Sequence, residues 1–187
     1  MVNPNVVDRK KNTPLLTAIE NKNFLAFDLL LESCDVDINA ENDKGETAIF
    51  LAIKYFYSPI FMSLYEIDIK PFDNQYNLFK SILYPKCDRK PFYAIDFNHL
   101  TKKNENALHY ICLYNNGMVD LVDIFLQIEE IDPNLMSDEG TPLFYAFKSR
   151  QIEVIKLLLK NQKIRKDIIT AVLFYFFVFL LLMENLR

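Results

Sequence analysis

A segment that returns at a near-fixed interval constrains a chain more than composition does, because a unit too small to bury its own apolar face has to stack on copies of itself. Asn12–Asn39 and Gly140–Asn161 are two such segments. Both have Thr-Pro-Leu near the start, place Ala five residues after the Thr, and carry a late Leu-Leu-Leu. The step from Thr13 to Leu29 is 16 residues, and so is the step from Thr141 to Leu157. Weaker copies begin at Gly45, Asn104 and Tyr76. The anchors Thr13, Thr47, Asn77, Asn106 and Thr141 then lie 34, 30, 29 and 35 residues apart. A second marker keeps the same register. Asn5 and the last residues of Asp37-Ile38-Asn39, Asp68-Ile69-Lys70, Asp96-Phe97-Asn98 and Asp132-Pro133-Asn134 stand 8, 8, 7, 8 and 7 residues before the next anchor.

Local signals turn each unit into a pair of helices. Thr13-Pro14 and Thr141-Pro142 read as an N-cap followed by proline in the first turn. Phe24, Phe27, Leu30 and Leu31 recur at helical spacing, as do Ile152, Ile155, Leu158 and Leu159. Asp43-Lys44-Gly45 and Asp138-Glu139-Gly140 read as turn tips. The third unit is the least regular, with Pro85 and Pro91 bounding too short a stretch for a full second helix.

These residues resemble the ankyrin repeat: a turn, a T-P-L-H-x-A helix, a V-x-x-L-L helix, and a loop ending in D-x-N. The resemblance covers about residues 3–165. It implies an all-α, ankyrin-type helix-turn-helix solenoid with hairpin turns, in an array over residues 1–167 with repeats near 8–39, 40–70, 71–98, 99–134 and 135–166. Three departures stand out: Gly45 and Gly140 alone match the hairpin glycine, the usual inter-helix glycine is absent, with Gly117 displaced, and His109 alone matches the family's histidine, which implies backbone hydrogen bonds between repeats for that ring. The family's concave surface maps onto Thr17, Leu51, Ser81, Tyr110 and Tyr145 in one row and Glu20, Lys54, Tyr84, Leu113 and Lys148 in a second. As a partner surface, it leads us to expect partly exposed tyrosines whose truncation weakens binding and leaves thermal stability unchanged.

Composition removes other classes. With 3 glycines among 187 residues, phosphate-cradling loops are excluded. A net charge of −4 does not favour nucleic-acid binding, despite the Lys10-Lys11 and Lys102-Lys103 pairs. Cys34, Cys87 and Cys112 are widely spaced, so neither a zinc site nor a disulfide framework is indicated, and no cofactor or metal is expected. No serine has a G-x-S-x-G setting, and the acidic group Glu129, Glu130 and Asp132 reads as a solvated helix end. We therefore expect no enzyme, but a cytoplasmic scaffold or adaptor that binds another protein.

Ile168 to Met183 adds 16 residues without charge, Gly or Pro. As a helix the segment is about 24 Å long, a little short of a bilayer core. Its composition favours insertion, and Lys163, Arg165 and Lys166 before it would hold the repeats on the cytoplasmic side. This C-terminal hydrophobic helix is read first as a transmembrane tail. The alternatives are the opening helix of a sixth repeat, with Thr170 as its anchor, and a truncated product. A membrane-tethered scaffold and a targeting fragment of a larger enzyme follow as further functional readings.

Overall fold

The computed structural model describes residues 3–31, 33, 35–56, 96, 98–114 and 119–184. It divides into two compact units, Met1–Lys102 and Lys103–Arg187. The third repeat expected at 71–98 lies outside the described residues apart from Asp96 and Asn98.

The first unit carries α1 (Pro14–Glu20), α2 (Phe24–Leu31) and α3 (Ala48–Phe56). Thr13 caps α1 as expected: its Oγ1 accepts from the Leu16 N–H at 3.3 Å, and Pro14 takes the first helical position. α1 stops at Asn21, where Lys22 turns into the left-handed region at φ 54°. There the N–H groups of Lys22 and Asn23 return to the carbonyls of Ile19 and Ala18, at 3.0 and 2.8 Å. α2 then folds back along α1, and α3 packs on α1. Leu15, Leu16, Ile19, Phe27, Ile49, Phe50, Leu51 and Ile53 are buried in this layer.

The second unit repeats the plan with α4 (Ala107–Tyr114), α5 (Val119–Gln127), α6 (Pro142–Lys148) and α7 (Ile152–Lys160). Thr141 caps α6 by accepting from Phe144 N–H at 3.3 Å. Arg150, at φ 56°, closes α6 as Lys22 closes α1, with Gln151 N–H on the Ala146 carbonyl at 3.0 Å. α6 stacks on α4 and α7 on α5. No described residue is in a strand, which fits the all-α expectation.

The two sequence markers have structural causes. Each tip is a turn closed by its first side chain: Asp8 Oδ1 accepts from Lys10 and Asn12 N–H, and Asn42 Oδ1 accepts from Lys44 and Glu46 N–H, all at 2.8–3.0 Å. Neighbouring tips in each unit are joined through backbone. Asp43 N–H meets the Lys10 carbonyl at 2.8 Å, Lys102 N–H meets that of Lys44 at 3.0 Å, and Asp138 N–H meets that of Lys103 at 3.0 Å. In the D-x-N marker the Asp carboxylate accepts its own Asn N–H, at Asp37, Asp96 and Asp132 alike. The Asn side chain then ties down the next loop. Asn5 bonds the Asp35 carbonyl and Asp37 N–H at 2.7 and 2.8 Å; Asn134 bonds the Lys163 carbonyl and Arg165 N–H at 2.7 and 2.9 Å. Asn39 likewise accepts from the N–H of Asp96, 57 residues on.

α8 (Lys166–Glu184) follows and packs on α6. The membrane reading of this segment is not supported, and the sixth-repeat reading loses its anchor. Among the described residues no helix is long and apolar enough to cross a membrane, so the span expected over Ile168 to Met183 is unsupported. One side of α8 is instead committed to protein: Val172 is buried, and Phe176 stacks on Phe147 at 4.8 Å between ring centres. Nor does Thr170 anchor a sixth repeat. It lies inside α8, and its hydroxyl donates back to the Lys166 carbonyl at 2.9 Å, whereas Thr13 and Thr141 precede their helices and accept.

Candidate functional site

The surface expected to meet a partner is built on α1, α3, α4 and α6 and on the tips before them. In the first unit Thr17 and Glu20 share one side of α1 and are half-buried. Glu20 accepts from the Asn12 amide at 2.9 Å, and Lys54 on α3 pairs with Glu46 at 2.9 Å. Asn12–Glu20 and Glu46–Lys54 are the same pair in successive repeats: the residue before the anchor bonds the one eight positions later. That spacing is visible in sequence, but only once the anchors are aligned.

In the second unit Lys148 is exposed and pairs with Glu139 at 2.6 Å, while Lys103 reaches the other Glu139 oxygen at 3.0 Å. The two ammonium groups, Lys148 foremost, hold the Glu139 carboxyl below the usual carboxylate range. Leu113 is half-buried. Ser81 and Tyr84 lie outside the described residues.

The tyrosines correct the sequence reading. Tyr145 is 1% exposed and Tyr110 7%, and Leu51 is wholly buried, so none of them is a partly exposed groove residue. The Tyr145 hydroxyl donates to Glu105 Oε1 at 2.7 Å and lies 3.2 Å from Ser137 Oγ, and its ring stands edge-on to His109 at 5.1 Å. Burial pushes its phenol pKa up. The register places these side chains on the right helix, but burial by a neighbouring repeat is not written in it; for Tyr145 that neighbour is the preceding repeat, through Glu105 and His109.

His109 does what the family resemblance implied. It is fully buried, and its Nε2 donates to the Gly140 carbonyl at 3.1 Å, joining one repeat to the next. Its Nδ1 faces Asn106, whose Oδ1 also accepts the His109 N–H at 3.2 Å. Burial lowers the imidazole pKa from 6.5 to about 4, so the ring is neutral at physiological pH. Cys112 is a buried thiol whose pKa burial raises, and the other two cysteines lie outside the described residues. Among the described residues no group of three His, Cys, Asp or Glu side chains converges on a metal position.

Comparison with known proteins settles the architecture. A model of three consecutive ankyrin repeats matches residues 71–169, and a single ankyrin-repeat model matches residues 10–40. The chain belongs to the ankyrin-repeat family. Rabankyrin-5 from Mus musculus and from Homo sapiens are each 26% identical to it over an alignment 172 residues long that covers 75% of this chain. The chain spans 14% of the length of these relatives. Family membership makes the array a protein–protein interaction module.

Proposed function

We propose that this chain is a non-catalytic scaffold or adaptor that works in the cytoplasm and binds another protein along the tips and first helices of its repeats. The observation that carries this reading is the set of charged side chains held in place there. Glu20, Lys54 and Lys148 are each fixed by a tip residue of their own repeat and retain solvent-facing surface. Pre-fixed side chains lose less entropy when a partner arrives. Charges of both signs on this surface, Glu20 as well as Lys54 and Lys148, select a partner of complementary pattern rather than a polyanion.

Affinity capture with the full chain tests this. Charge reversal by Glu20→Lys or Lys148→Glu should weaken capture of a specific partner by about tenfold or more. Glu153→Lys, on the exposed side of α7, should leave capture unchanged. Equal effects at all three positions would contradict the assignment of the surface.

A further inference from the structure

α8 is apolar on two opposite sides. One side, through Val172, Tyr175 and Phe176, meets α6: Phe144 lies 5.1 Å from the ring of Tyr175, and Phe147 lies 4.8 Å from that of Phe176. At 100° per residue, Leu173, Phe174, Phe177 and Val178 fall on the opposite side. They are 48%, 67%, 60% and 37% exposed. Four large apolar side chains contiguous on one helix face form a patch of the kind that marks an interaction site.

We infer that this outward face of α8 pairs with the same face of a second copy of the chain, forming a two-fold dimer. Three observations favour that occupant. First, the face continues an interface already present. In this unit α6 stacks on α4 and α8 on α6, each through the apolar sides of neighbouring helices, and a second α8 would supply the next layer. Second, these four side chains carry no charge, the polar Lys166, Asp167 and Thr170 sharing their side of α8 only at its start, and phenyl and leucyl groups are complementary to themselves. A closed two-fold pairing of like patches is the commonest way such a surface is covered. Third, the groove on α1 and α2 of the first repeat does not suit this face as a mate. That groove is lined by Asp8, Asn12, Thr17, Asn21 and Asn23 among its apolar residues, a poor match for bare rings. The inference stands apart from the partner surface proposed above, which uses other helices.

Sedimentation analysis of the full chain tests it. The wild-type protein should be a dimer at micromolar concentration. Phe174→Asp combined with Phe177→Asp should weaken self-association roughly thirtyfold or more, with unchanged helix content. Leu25→Asp, at a 72%-exposed leucine on α2, should leave the dimer intact. If the double variant loses helicity, Phe174→Ser carries the same test by removing one ring without adding charge. A wild-type monomer, a dimer indifferent to these substitutions, an open-ended polymer, or a monomer that moves onto phosphatidylcholine vesicles would each overturn the proposal.

Discussion

At the scale of single residues, His109 is the most informative group. Repeats one, two and five place Leu16, Phe50 and Phe144 at its position, so an apolar side chain suffices there for packing. The imidazole adds a bond to Gly140, and burial forces it to stay neutral. Its folded pKa, about 4, is below the unfolded value of 6.5. The neutral ring's contribution is therefore complete above pH 6.5 and is lost as pH falls toward 4. The difference corresponds to about 3 kcal/mol. Urea titrations at pH 7 and pH 4 should show a smaller acid loss for His109→Phe than for wild type; equal losses would mean that the ring accepts a proton without cost. Tyr145→Phe probes the neighbouring bond. It strips Glu105, itself 5% exposed, of the Tyr145 hydroxyl donor, and should cost about 1–2 kcal/mol in the same titrations. A neutral substitution would show that the Tyr145 hydroxyl contributes nothing to folding.

At the scale of elements, helix starts were the most legible feature of the sequence. Thr-Pro combines a side-chain cap with a preset φ, and both signals are local. Helix ends were not legible. The family's inter-helix glycine is absent, yet the turn it would make is present at Lys22 and Arg150, which adopt left-handed φ of 54° and 56°. Those residues bear the strain because the carbonyls of the last turn must be satisfied. Arg150→Gly should therefore stabilise the protein by about 1 kcal/mol, the reverse of the usual glycine penalty. A lower melting temperature for that variant would show that the arginine side chain stabilises the turn in another way. The burial of Tyr110 and Tyr145 was equally hidden, because periodicity gives the face of a helix and not what is packed over it. The outward face of α8 illustrates the converse. Its apolar run reads alone as a membrane span, and the stacking of its other side on α6 is a contact that no hydropathy count reports.

At the scale of the whole molecule, the repeat period carried the fold, because the tip, cap and D-x-N marker are each a hydrogen-bonded device of fixed length. The spacing does not report which turns are neighbours: the second tip bonds Lys102, and Asn39 bonds Asp96, contacts that no anchor interval announces. In the function we propose, the tips and first helices bind a protein partner while the second helices only support them. Hydrogen–deuterium exchange on the full chain, alone and saturated with a captured partner, tests this most directly. New protection should concentrate in residues 8–20, 41–54, 103–114 and 138–148. Protection confined to α2, α5 and α7, with those segments unchanged, would contradict it.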